Sequence, residues 1–195
     1  MDETALFKIS YGLYVIGAKD GEKYAGCLVN TVTQATPGPI TLTVCINKDN
    51  YTNACIKKSK EFSVSILSER TTQRTIGIFG FSSGTDKFSK VPYSLTPSGL
   101  PYISEGVTGY LQCKVTDYID DYTHTIFIAE VQEAENISKE PPMTYAYYHN
   151  VIKGKTPKNA STYVNEPKAE PKKPYVCGVC GYVYHGGTEV TNCYK

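Results

Sequence analysis

Apolar and polar positions alternate with a period of two through much of this chain. Runs rich in Val, Ile, Thr and Tyr recur at residues 12–18, 24–30, 40–46, 62–67, 109–118 and 125–134, with turn residues between them. Lys19-Asp20-Gly21-Glu22 reads as a hairpin turn joining the first two. So many short strands predict an antiparallel sheet closed into a barrel; a parallel α/β sheet is not indicated. At residues 50–60 the period changes: Tyr51, Ala54, Cys55 and Lys58 follow helical spacing behind Asn50, a residue suited to an N-cap. A second short helix is expected over 72–79, and both would decorate the barrel.

From Lys153 the composition shifts to Lys, Pro, Glu, Ala and Gly. The stretch NEPKAEPKKP (165–174) has too few apolar residues to bury anything and enough prolines to stay extended. The expected organisation is a barrel over 1–155, a linker over 156–174 and a cysteine-bearing tail over 175–195. A chain of 195 residues supports one domain with a full core plus an appendage that needs a metal or a partner to hold its shape.

With 20 basic and 19 acidic residues spread along the chain, no polyanion-binding surface is indicated, and nucleic acid is set aside. No basic-then-apolar leader and no run of about 18 apolar residues is seen, so a cytoplasmic protein without membrane contact is expected. Of seven cysteines, Cys27, Cys45, Cys55 and Cys113 sit singly in apolar or alternating stretches, as small core residues of a reducing compartment do. Three matches to the glycosylation sequon are read as coincidence.

Neither a Gly-x-Gly-x-x-Gly turn nor a Walker sequence nor a Gly-x-Ser-x-Gly elbow occurs, and His124, His149 and His185 are too scattered for a zinc site on the barrel. Polar loops at strand ends remain. Residues 30–39 (NTVTQATPGP) offer small hydroxyls and amides for the edge of a flat heterocycle. Residues 46–52 (INKDNYT) join Lys48, Asn50 and Thr52 to the amides of a helix N-terminus, an anion site in principle. Residues 79–88 (FGFSSGTDKF) set Ser, Gly, Thr and Lys between aromatics.

In order and spacing, three segments resemble the flavin reductase-like FMN-binding family: residues 12–67, the FGFSSGTDKF stretch, and THTIFIAEV at 123–131. The resemblance implies a mainly β, FMN-binding split β-barrel of antiparallel, Greek-key type with a few helices. It further implies a homodimer with FMN at its interface and hydride taken from NADH or NADPH. On that reading Asn30, Thr31, Thr33 and Gln34 border the ring and ribityl chain, with Cys45, Asn47 and Lys48 on the adjoining strand end. Asn50, Thr52, Ser83 and Lys87 neutralise the phosphate, Phe88 closes the same stretch, and His124 stands where the nicotinamide docks. Many members carry Asp and Gly where this chain has Thr123 and Ala129. No side-chain acid or nucleophile is required, because the flavin itself carries hydride and electrons.

YVCGVCGYVY (175–184) resembles the first knuckle of rubredoxin, where two thiolates hold iron; a zinc ribbon or a free thiol pair begins the same way. Cys177, Cys180 and Cys193 are the candidate ligands, iron being preferred to zinc. A fourth would come from a second knuckle lost by truncation, from a second tail in the dimer, or from His185. Barrel, charged linker and knuckle together resemble the high-molecular-weight rubredoxins of anaerobes. That implies electrons passing from FMN through iron to a redox partner such as an A-type flavoprotein. Two other readings stay open: a stand-alone NAD(P)H:flavin reductase supplying free reduced flavin, and a non-catalytic flavin- or haem-binding module.

Overall fold

The computed structural model describes residues 1–82, 86–163, 175–176 and 183–184. The chain divides into two units, Met1–Tyr163 and Val164–Lys195. In the first, the hairpin of β1 (Tyr14–Asp20) and β2 (Lys23–Val29) turns at Gly21, whose φ of 62° lies in the left-handed region that a residue without Cβ enters freely. β3 (Val32–Pro37), β4 (Ile40–Asn47), α1 (Tyr51–Ser59), β5 (Glu61–Leu67) and α2 (Gln73–Phe81) follow. Next come the short hairpin of β6 (Tyr93–Leu95) and β7 (Pro101–Ile103), the long pair β8 (Val107–Asp121) and β9 (His124–Asn136), and α3 (Tyr145–Asn150). Single 3-10 turns lie at Glu3–Lys8 and Phe88–Lys90.

Seven strands form one antiparallel sheet in the order β2-β1-β5-β8-β9-β4-β3. The sheet curls until side chains from opposite ends of that order meet in one core. Ala25 and Cys27 of β2 share a cluster with Leu42, Val44 and Ile46 of β4 and Phe127 of β9. Among the described residues β2 and β3 share no ladder; Val29 and Val32, one on each side of that seam, pack against the same core. This is the mainly β split barrel expected from the sequence. Asn50 caps α1, accepting from the Thr52 amide at 3.0 Å, and Thr72 caps α2, accepting from the Thr75 amide at 3.1 Å.

β1 is buried on both faces, which is why its apolar residues run on without alternation. Ile16 and Ala18 point into the barrel, while Leu13 and Val15 join a second core beneath α2, α3 and the Phe88–Lys90 turn. Gly17 faces Gly26 across the β1–β2 ladder. A Cβ on Gly26 would stand 2.7 Å from Phe79 and 2.8 Å from Phe88, and one on Gly17 would meet the Pro101 carbonyl and Phe88. The glycine pair therefore lets two phenylalanine rings, 5.0 Å apart between centroids, lie on the strand backbone.

Three features depart from the sequence reading. Residues 32–37, read as a loop, form β3; the strand has no apolar face to betray it because its residues are almost all exposed at the sheet edge. Helix α3 lies in a stretch for which no element was expected. Residues 156–163, read as the start of a linker, hydrogen-bond to the barrel at several points described below. In the second unit β10 (Tyr175–Val176) pairs with β11 (Val183–Tyr184), Tyr175 opposite Tyr184. Among the described residues no helix is long and apolar enough to cross a membrane.

Crowding at the glycine pair sets an expected stability change. Gly26→Ala lowers the urea midpoint by the equivalent of about 1–3 kcal/mol at unchanged slope, as overpacked core sites do. Gly77→Ala, in the middle of α2 with open space around it, raises it by about 0.5–1 kcal/mol.

Candidate functional site

The end of β4 and the start of β9 are paired, Asn47 opposite His124, and that register brings two distant polar residues to one rim. Asn30, just past β2, and Asn50, the cap of α1, join them. Leu13, Cys27, Cys45, Phe79 and Gly80 form the walls, and Tyr145 and residues 157–161 close one side of the resulting pocket. The closing segment is fixed by side chains of the pocket itself. Asn47 Nδ2 donates to the Asn159 carbonyl at 3.5 Å, and His124 bonds the same carbonyl. Asn30 Nδ2 donates to Thr162 Oγ1 at 2.7 Å.

The charge distribution is unusual at Lys87. Its residue is 6% exposed, and among the described residues its one hydrogen bond is to the Phe79 carbonyl at 3.5 Å, near the end of α2. Burial holds its ammonium below the usual lysine range; among the described residues, the charged or ionisable groups that it senses are the Cys27 thiol and another cation, Lys90. A buried cation without a carboxylate costs several kcal/mol unless something anionic comes to it. Cys27 is no such anion: burial pushes its thiol up to about 11, with Thr52 bonded to it. Burial also raises the Cys45 thiol, and it lowers the His124 imidazole, which therefore stands neutral at pH 7 with Nδ1 at 2.9 Å from Thr123 Oγ1.

The residues singled out from sequence fall into three groups. Asn30, Cys45, Asn47, Asn50 and His124 line the pocket. Thr31 supports it by donating to the Cys45 carbonyl at 3.3 Å, and Lys87 lies behind its Phe79 wall. Lys48 is exposed at the rim, near enough to His124 to be felt by its imidazole. Thr33 and Gln34 stand exposed on β3, outside this pocket, while Thr52 and Phe88 are fully buried, Phe88 among Tyr24, Phe79 and Tyr93. The anion site expected at the start of α1 has its Thr52 amide already satisfied by Asn50. Ser83, Cys177, Cys180 and Cys193 lie outside the described residues; among those described, no three His, Cys, Asp or Glu side chains gather as metal ligands.

Sequence reasoning missed Tyr145 and the 157–162 segment. The signal was present in TYAYYHN: a threonine suited to an N-cap, followed by Tyr145, Tyr148 and His149, spaced to share one helix face.

Comparison with known proteins agrees with this architecture. Residues 6–155 match the family described as flavin reductase like domain. The high molecular weight rubredoxin of Moorella thermoacetica is 43% identical over 192 residues, covering 94% of this chain and 83% of that protein. The ferric-chelate reductase (NAD(P)H) of Archaeoglobus fulgidus is 39% identical over 165 residues, covering 84% of this chain and 98% of its own. Among solved structures, the NADH:FAD oxidoreductase SgcE6 of Streptomyces globisporus C-1027 superposes with a TM-score of 0.65 at 25% identity, over 73% of this chain and 88% of that one. The split barrel, its pocket at the meeting of β4 and β9, and these matches place the chain in the flavin reductase like domain family.

Proposed function

We propose that the chain is an FMN-dependent NAD(P)H oxidoreductase that passes electrons from reduced nicotinamide to a rubredoxin-type iron centre or a redox partner protein. The observation that carries this reading is the buried Lys87, which no carboxylate among the described residues meets, behind a pocket rimmed by amides. The donor set fits a flavin phosphate and ring edge. Lys87 and Ser83, with Lys48 at the rim, would neutralise the phosphate. Asn30, Asn47 and Asn50 would meet the polar edge of the ring, with Thr31 and Cys45 on the strand end behind it. When bound, the flavin supplies a two-electron hydride acceptor that can release electrons singly.

The chain's own residues bind, orient and exclude. Lys87 is desolvated before the ligand arrives, so its attraction for a phosphate is not spent on displacing water. His124, neutral and tied to the Asn159 carbonyl, offers a nicotinamide a polar wall without a positive charge to oppose the cationic product. Thr33 and Gln34, on the open edge of β3, join the site where a second copy of the chain completes it as a homodimer.

For the tail, Cys177, Cys180 and Cys193 are the proposed iron ligands. The match to the Moorella protein supports a shared tail: 94% of 195 residues is about 183, more than the 163 of the first unit. The match to the Archaeoglobus protein, 84% or about 164 residues, is the size of that unit alone.

Three outcomes are expected. Anaerobic addition of NADH or NADPH to the FMN-loaded chain bleaches the oxidised flavin bands; no bleaching with either nucleotide rejects the reductase reading. Lys87→Met raises the melting temperature of the flavin-free protein by about 2–4 °C for each kcal/mol of relieved burial, while erasing the preference for FMN over riboflavin. An unchanged preference would place the phosphate elsewhere. Metal analysis of the whole chain finds iron, and Cys177→Ser removes it while FMN stays; loss of both would defeat the two-module picture.

A further inference from the structure

We infer that Tyr145 is a positioning residue that fixes the side-chain amide of Asn30 through a directed chain of hydroxyls, reserving the Asn30 oxygen as an acceptor for an N–H on the edge of a bound ring. The inference rests on the flavin reading of the pocket.

The direction of the chain follows from proton counting, since each hydroxyl has one proton to give. Asn30 Nδ2 donates to Thr162 Oγ1 at 2.7 Å, and Thr162 donates to the Tyr145 hydroxyl at 3.2 Å. The Tyr145 proton then goes to Thr156 Oγ1 at 2.6 Å, and in the imidazole tautomer with its proton on Nδ1, His149 accepts from Thr156 at Nε2, 3.3 Å away. Four links thus run one way, from a nearly buried amide to a half-buried imidazole nitrogen.

Tyr145 is the element that cannot drift. Its ring meets the ring of His149 edge-on at 4.4 Å, meets Tyr11 edge-on at 6.1 Å and stacks on Tyr148 at 6.2 Å. The i, i+3, i+4 spacing on α3 sets Tyr145, Tyr148 and His149 side by side, so His149 supports Tyr145 through its ring and terminates the chain through Nε2.

An amide has nearly the same shape in its two orientations, and only its hydrogen bonds decide between them. Here Asn30 cannot turn over unless Thr162, Tyr145 and Thr156 all reverse their protons, which makes the orientation cooperative. With Nδ2 committed to Thr162, Oδ1 retains acceptor capacity, its one hydrogen bond among the described residues coming from Ser161 Oγ at 3.4 Å. The acceptor is therefore aimed without being used up.

The test uses the full chain in two arms. In the flavin-free protein labelled with 15N at asparagine, the Asn30 side-chain amide protons exchange slowly. Tyr145→Phe, which keeps the ring, and Thr156→Val, which breaks the chain one link further on, each speed that exchange by about tenfold, whereas Tyr147→Phe on the same helix leaves it unchanged. In the second arm FMN is titrated by quenching of its fluorescence. Asn30→Ala and Tyr145→Phe each weaken binding, by about fivefold or more, and the double variant binds no more weakly than Asn30→Ala alone. Additive losses, or unchanged Asn30 exchange in Tyr145→Phe, would overturn the inference. Failure of the unmodified chain to take up FMN would defeat the flavin reading, and with it the ligand role of Asn30, whatever the exchange arm shows.

Discussion

Phe79 and Phe88 lie against the strand backbone at Gly26, with Phe88 reaching Gly17 as well, and the site depends on that approach. With no Cβ at either position, the rings settle at van der Waals distance and carry α2 and the Phe88–Lys90 turn down with them. That descent places the end of α2 against the pocket, where Phe79 and Gly80 form its wall. It also draws in Lys87, one residue before Phe88, to a depth that a lysine does not reach unaided. A bulkier residue in either strand would lift this layer away from the sheet and return the ammonium to water.

Holding a cation there opposes stability, and the surrounding structure absorbs the cost. β1 serves both cores, so contacts of the barrel and of the α2 layer are won or lost together. A protein tuned only for stability would have an apolar side chain at position 87. On the proposed reading, the lysine belongs to a site made ready before its ligand arrives, where binding would recover what folding gave up. The amides at the rim follow a related logic: Asn47 and His124 are held by one carbonyl, and Asn30 by a threonine hydroxyl, so they are ordered in advance.

Much of the barrel was legible from strand patterning, because β2, β4, β5, β8 and β9 each carry an apolar face to a core and β1 is an unbroken run between turn signals, while Asn50 and Thr72 announce their helices by capping chemistry. β3 was not legible: Thr33, Gln34 and Thr36 face solvent, so no burial imposes a period on them. Within the site, Asn30, Asn47 and His124 stand at strand ends that alternation could locate. Their convergence was legible only through the resemblance of three separated segments, since pairing register between β4 and β9 is not written locally in either strand. The 156–163 segment escaped because its lysines and prolines look like linker, while what holds it is a set of hydrogen bonds to partners far along the chain.

The same edge strand that hid itself in the sequence has a further property. Between Gln34 and Thr36 the β3–β4 register slips by a residue, and at Pro37 the strand has no amide hydrogen to offer. A stray strand adding to β3 would find its ladder interrupted within a few residues, so the sheet cannot extend itself into a fibril through this border. The side chains of β3 meanwhile stand exposed, where a folded surface can meet them. An edge closed to backbones and open to side chains admits a shaped partner while refusing an unfolded one.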